Sequence, residues 1–205
     1  MNSASTIHLD IVLERPQSKD VMRALLHAIL FHRLFGTIKP QTIDVLDVTF
    51  PGVSDPEIES QVNAKVDALW RALDSIPGGN NVIKKGQIIV VLSEKRPKTK
   101  WFSISMGEEE VAWEQWVVTI ELLPARQSSQ SQSNNSNYYT SKPIFTKPQF
   151  PPTPNPTDLN QTLLQILTHV SSNQGRDAVP PIMTNTGISP FPLRIDVLVG
   201  DRMIR

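Results

Sequence analysis

Cysteine is absent from all 205 residues, which excludes a disulfide scaffold, a thiolate zinc site and a cysteine nucleophile together. An excess charge of one sign is also missing: 20 basic side chains balance 20 acidic ones, whereas a dedicated nucleic-acid or polyphosphate binder carries a basic surplus. No stretch approaches the ~18 uninterrupted apolar residues of a spanning helix. The opening MNSASTIHLD has neither the basic start nor the apolar run of a secretory signal. Nucleotide and hydrolase signatures (G-x-G-x-x-G, the P-loop, G-x-S-x-G) do not occur, and Pro77-Gly78-Gly79 follows no strand, so it reads as a turn. These absences leave the expectation of one soluble intracellular domain over residues 1–205, long enough to bury a real core.

Proline is what the chain has in excess, 17 of 205 residues. Six of them fall between Gln127 and Asp158, where Gln, Ser, Asn and Pro fill 20 of 32 positions. Such a segment buries too little apolar surface to offset its ordering entropy, so residues 127–157 read as a disordered polar insert within the domain.

Elsewhere the periodicity is regular. Ile7, Leu9, Ile11 and Leu13 alternate with polar residues as in a half-buried strand. Ser18 is placed to cap a helix running to about Phe35, with Gly36 just past its end. Met22, Leu25, Leu26, Ile29, Leu30 and Leu34 leave that helix little polar surface, which puts it at the centre of the fold. Thr42 to Phe50 reads as a strand whose phase slips near Leu46, as a bulge would cause. Ser54 and Glu57 have capping-box spacing. The helix behind them carries one stripe, Ile58, Val62, Val66, Leu69 and Leu73, and belongs on the surface. Gln87–Glu94 and Ala112–Leu123 read as strands joined by a loop that includes the acidic run Glu108–Glu110. Asp158 is placed to cap a third main helix, and Leu193–Val199 alternates as a last strand. Strands joined by a loop favour antiparallel pairing, so the expectation is an α+β fold: an antiparallel sheet with three main helices packed on it.

Convergent ionisable groups are scarce. His27 and His32 share the first helix but stand five apart, off the i, i+4 spacing of metal ligands, and read as structural. His8 and His169 have no sequence-local carboxylate at a recognisable spacing. No catalytic residue, metal site or cofactor follows from the pattern. Trp101-Phe102 stands out instead, in a loop, after Lys95, Arg96, Lys98 and Lys100. Neighbouring side chains on an extended segment face opposite ways, and burying a tryptophan removes ~150–250 Å² from water, worth roughly 4–6 kcal/mol at most. Exposure therefore makes sense only if a partner or a membrane surface later covers the pair; composition leaves burial and exposure equally open. On the third helix, Leu163, Leu164, Ile166 and Leu167 give more apolar faces than a one-sided helix requires, so a subunit interface there, with Leu163, Leu164 and Leu167 as its candidates, competes with core packing.

Two stretches carry a family resemblance. Leu25–Gly36, LLHAILFHRLFG, resembles a segment of the autophagy-related protein 101 family. Lys98–Glu121, KTKWFSISMGEEEVAWEQWVVTIE, is similar to that family's basic run, Trp-Phe finger and W-E-x-W-x-V strand, here Trp113, Glu114, Trp116 and Val118. The resemblance implies a HORMA domain with a protruding aromatic loop, no enzymatic activity and no cofactor. It implies an adaptor in the autophagy-initiation Ser/Thr kinase complex that heterodimerises with the HORMA domain of autophagy-related protein 13. Trp101 and Phe102 would then protrude to recruit downstream factors, with cytoplasmic and phagophore-assembly-site localisation, no nucleic-acid partner, and membrane contact at most indirect. The competing expectation is a peripheral module that binds anionic lipid through the basic loop and the same two aromatics.

Overall fold

The structure, a computed structural model, describes residues 4–79, 82–97, 107–124, 156–183 and 187–204. The expected insert at 127–157 lies outside them, apart from Pro156 and Thr157, which open a helix. Strand β1 (Ser5–Leu13) leads into helix α1 (Ser18–Arg33), then β2 (Pro40–Val45) and β3 (Val48–Val53). Helix α2 (Pro56–Asp74), the long strands β4 (Lys84–Pro97) and β5 (Glu108–Leu122), and α3 (Pro156–Ser171) follow. A short α4 (Asn173–Asp177), β6 (Leu193–Val199) and β7 (Arg202–Ile204) complete the chain.

The fold is α+β, as the periodicities predict, but its main sheet is mixed. Five strands run in the order β1-β5-β4-β6-β7, and β1 lies parallel to β5, with Ser5 opposite Glu114 and Leu13 opposite Leu122. The expectation of a purely antiparallel sheet holds for β4–β5, β4–β6 and β6–β7 and fails at β1. That strand reaches its partner through two intervening helices, and such a crossover is free to return parallel.

The strand expected at 42–50 is a hairpin. Val45 pairs with Val48 across a two-residue turn in which Leu46 (φ 50°) and Asp47 (φ 62°) both sit in the left-handed region. That is the type I′ geometry that matches the strand twist, reached here without the usual Asn-Gly signal. The apparent phase slip at Leu46 is the turn itself.

Helix α1 is buried on nearly every side. It packs against the β2–β3 hairpin, α2 and α3, and its Met22, Leu25, Leu26 and Ile29 share one core with Leu9, Ile11, Trp116 and Val118 of the sheet. The opposite face of the sheet carries exposed Thr6, His8, Asp10 and Lys85. The α2 stripe of Ile58, Val62, Val66, Leu69 and Leu73 is wholly buried, and Lys84, also buried, donates from Nζ to the Leu73 carbonyl at 2.8 Å. A cation on the last carbonyls of a helix complements its dipole.

Three caps differ from expectation. Ser18 is the first helical residue of α1, its hydroxyl donating to the Arg15 carbonyl. Asp55 caps α2 by accepting from the Glu57 and Ile58 amides, while Ser54 pairs its amide with Lys39. Asp158 lies inside the first turn of α3, since Pro156 already suits the opening position. At the end of α1 the left-handed residue is Phe35 (φ 52°), not Gly36. Gly36 is required for a different reason: a Cβ there would stand 2.2 Å from the Ile188 carbonyl oxygen.

Candidate functional site

Trp101 and Phe102 lie outside the described residues. The β4–β5 strands on either side of them in sequence are described up to Pro97 and from Gly107 onward. Strands β4 and β5 stay paired out to Arg96–Glu109 and Pro97–Glu108, but β1 begins only opposite Glu114 and β6 stops opposite Leu92. The hairpin therefore runs on past both neighbours as a two-stranded arm. The acidic run is part of it: Glu108, Glu109 and Glu110 open strand β5 and do not lie in a loop. Lys95 and Arg96 face Glu110 and Glu109 across the arm, and cross-strand opposite charges favour pairing over a splayed loop. Lys95 also approaches Glu108 at 3.7 Å, both well exposed, and Arg96 bridges to Glu94; exposed pairs of this kind contribute little to stability.

Where the arm leaves the sheet, the register breaks. Leu92 pairs with Glu114 but Ser93 with Ala112, so Trp113 is the extra residue of a β-bulge. A bulge re-aims side chains, and here it lets adjacent Trp113 and Glu114 both turn inward, 7% and 0% exposed. The Trp113 ring packs edge-on against Phe191 at 5.4 Å, and Phe191 in turn against Phe35 at 6.1 Å.

Glu114 is the hub of a buried network. Its Oε1 accepts from Arg33 Nε and Trp116 Nε1, each at 2.6 Å. Its Oε2 accepts from Arg33 Nη2 at 2.9 Å and meets His169 Nε2 at 3.1 Å. Arg33 further donates to the Gly175 carbonyl at 3.2 Å, and the His169 ring stands edge-on to Trp116 at 5.1 Å. One carboxylate thus ties the end of α1, strand β5 and the α3–α4 junction together. Gly175 sits so close that a Cβ would lie 2.0 Å from the His169 carbonyl. The two stretches that carry the sequence resemblance, one holding Arg33 and the other Glu114 and Trp116, are bonded to each other at this point.

Sequence reasoning gave His169 no carboxylate partner, because Glu114 is 55 residues away. The available signal was a lone glutamate flanked by tryptophans inside an apolar strand, which demands a buried cation. The network is too enclosed to meet a substrate: Arg33 and Glu114 are fully packed, and His169 shows only its edge. Its role is to hold the chain's C-terminal third on its N-terminal half.

Of the other histidines, His27 makes a structural bond, whereas the His8 side chain is exposed. His27 Nδ1 accepts the Val53 amide at 3.4 Å, bridging α1 to β3; burial holds its pKa below the ordinary value, opposed by the charge of Glu59. Burial and then the neighbouring Arg33 lower His32. Among the described residues, no group of three His, Asp or Glu side chains could hold a metal ion, and no helix is long and apolar enough to cross a membrane.

On α3 the three leucines separate. Leu163 packs against the core, Leu164 is 60% exposed, and Leu167 is half-buried. Leu164 and Leu167 share a face with Thr168 and Ser171, one helical turn apart, and that face carries no charge. Gln165, beside it, donates to the His8 carbonyl on the outer edge of β1 at 3.0 Å.

Residues 10–186 match the family described as Autophagy-related protein 101. The protein of that name from Schizosaccharomyces pombe is 32% identical over 129 residues, 63% of this chain and 66% of the relative. The Arabidopsis thaliana protein is 26% identical over 193 residues, 92% of this chain and 84% of the relative. The Homo sapiens protein is 27% identical over 138 residues, 60% of this chain and 59% of the relative.

Proposed function

The chain belongs to the autophagy-related protein 101 family, and we propose from that membership that it acts in autophagy as a non-catalytic adaptor. In this reading it is a HORMA domain that pairs with and stabilises the HORMA domain of autophagy-related protein 13 within the autophagy-initiation Ser/Thr kinase complex. It works without a cofactor, in the cytoplasm and at the phagophore assembly site, and presents Trp101 and Phe102 to downstream factors.

The observation that supports the reading is the β4–β5 arm, which outruns β1 and β6; Trp101 and Phe102 fall in the sequence between its two strands. An arm of this shape sets a recruiting element apart from the rest of the fold. The face proposed for the partner is the uncharged one on α3, with Leu164 and Leu167 offered and Leu163 turned inward, since interface centres are depleted in charge.

The test separates the two tasks. Trp101→Ala with Phe102→Ala should leave the melting temperature and heterodimer formation unchanged while abolishing recruitment in cells; Leu164→Lys should do the reverse. Trp70, Trp113 and Trp116 are buried, so the fluorescence lost in Trp101→Phe reports Trp101 itself. A red-shifted, readily quenched difference supports the finger; a blue, protected one refutes it. Binding of the isolated chain to anionic liposomes that salt abolishes would replace this reading with the lipid-binding one.

A further inference from the structure

Strand β1 closes one side of the main sheet, and β5 is its only strand neighbour among the described residues. Successive residues of a strand turn their N–H and C=O groups to opposite sides. The Leu13 carbonyl takes the Leu123 amide at 2.8 Å on the β5 side, so the odd-numbered residues face β5 while Thr6, His8, Asp10 and Val12 face away. The His8 carbonyl agrees with this phase, since it takes Gln165 Nε2 from α3 at 3.0 Å. The remaining outward backbone groups of these four residues have no hydrogen bond among the described residues. An edge of this length is ordinarily blunted by lysine, proline or a bulge. Ser5–Leu13 holds neither residue, and its register with β5 runs unbroken.

Between that edge and α3 lies a cavity of about 270 Å³, with Asp10, Ile11 and Val12 on one side and Asp158, Gln161 and Gln165 on the other. Two carboxylates line it and, among the described residues, no cation does. The chain's own path leads to this place. It leaves the sheet at Leu123, hydrogen-bonded to the end of β1, and is described again from Pro156, two residues before Asp158 on the cavity wall. The residues between, 125–155, carry Arg126, Lys142 and Lys147 and no acidic side chain. Gln127–Asn137 is wholly Gln, Ser and Asn, whereas Tyr138–Lys147 gathers Tyr138, Tyr139, Thr140, Ile144, Phe145 and Thr146. Aromatic and β-branched residues of this kind favour strands.

We propose that the outer edge of β1 is a docking site for the chain's own Tyr138–Lys147, which adds to it as a further strand, bonds the Asp10 and Val12 backbone and brings its lysines to the acidic rim. Edge addition takes affinity from main-chain hydrogen bonds and selectivity from the side chains beside them. With the even-numbered residues from Tyr138 to Thr146 bonded to β1, Pro143 turns its nitrogen to solvent, as an edge strand allows. Pro148 would turn its nitrogen to β1, and the strand ends before it. Reach is not limiting: His8 to Val12 spans about 13 Å, and residues 148–155 alone stretch to roughly 25 Å. Tethers on both sides hold the strand at about millimolar effective concentration, so weak contacts suffice. The added strand keeps β1 from pairing with other chains.

The test is native-state amide exchange on the full-length, ¹⁵N-labelled chain, read by NMR at Asp10 and Val12. These amides should exchange at least tenfold more slowly than in a variant whose residues 138–147 are replaced by a Gly-Ser stretch of equal length. The Leu9 and Ile11 amides, which face β5, should exchange alike in both and so report that the fold is intact. Tenfold dilution should leave the protection unchanged. Should the replacement variant fail to fold, Lys142→Glu with Lys147→Glu takes its place, with faster exchange at Asp10 and Val12 again expected. The proposal is overturned if the two amides exchange as fast as unstructured ones in the full-length chain, or if they are equally protected in chain and variant. Protection that falls on dilution overturns it too, since a second copy would then occupy the edge.

Discussion

Replacing Glu114 tests the buried network most directly. The carboxylate is fully buried and takes hydrogen bonds from Arg33 at 2.6 and 2.9 Å, from Trp116 at 2.6 Å and a contact with His169 at 3.1 Å. Glu114→Leu leaves the Arg33 guanidinium buried without a counter-charge, for which the cost is about 3–5 kcal/mol. That is a large part of the ~5–15 kcal/mol by which a domain is stable. Glu114→Gln keeps the shape but removes the counter-charge and turns an amide NH₂ towards an Arg33 N–H on whichever oxygen it replaces, so it should cost nearly as much. Arg33→Met with Glu114→Leu removes both charges at once and should restore most of the stability, because an apolar pair avoids the desolvation penalty. Urea unfolding followed by far-UV circular dichroism reads this as the midpoint. With a slope of about 2–3 kcal/mol per molar, the single variants should shift by roughly 1–2 M, and the double variant by much less than the sum. A cost under about 1 kcal/mol for Glu114→Leu, or a double variant that costs the full sum, would refute the assignment of Glu114 as the hub.

Other consequences follow from single residues. His27 accepts the Val53 amide only while Nδ1 is unprotonated, and its pKa is lowered from 6.5 by burial. Its contribution is therefore fully present above about pH 6.5 and lost as the pH falls through the lowered folded-state value, by at most about 1.4 kcal/mol per pH unit. His27→Asn keeps an acceptor and does not titrate, so the difference between its urea midpoint and that of the wild type should shrink between pH 7.5 and 5.0; a constant difference excludes the role. Gly36→Ala places a methyl 2.2 Å from the Ile188 carbonyl, backbone that cannot swing aside. It should cost about 1–3 kcal/mol and lower the melting temperature by roughly 2–12 °C; an unchanged transition would show that the 187–192 segment does not cross the helix end.

Much of the architecture was legible in order along the chain. The alternation in Ile7–Leu13, the wholly apolar α1, the one-sided stripe of α2 and the alternation of Leu193–Val199 correspond to elements at or near the expected limits. The misread segments share a cause. At Leu46-Asp47 a tight turn carries residues that do not advertise a left-handed backbone, and at Glu108–Glu110 an acidic run that reads as loop is held in a strand by the cations opposite. Both depend on what the second strand presents, which local periodicity does not encode.

Sequence by itself determined which segments are helix and which are strand, because burial imposes a period of 3.6 or 2 on any element with one apolar side. It also determined the absence of thiolate chemistry and the family to which the motifs point. Tertiary structure decided the pairing: that β1 lies parallel to β5, that Trp113 is the bulged residue where the arm leaves the sheet, and that Arg33, Glu114 and His169 meet. These facts rest on contacts between residues 19 to 109 positions apart, and a charge buried at such a contact shows its partner only once the chain is folded.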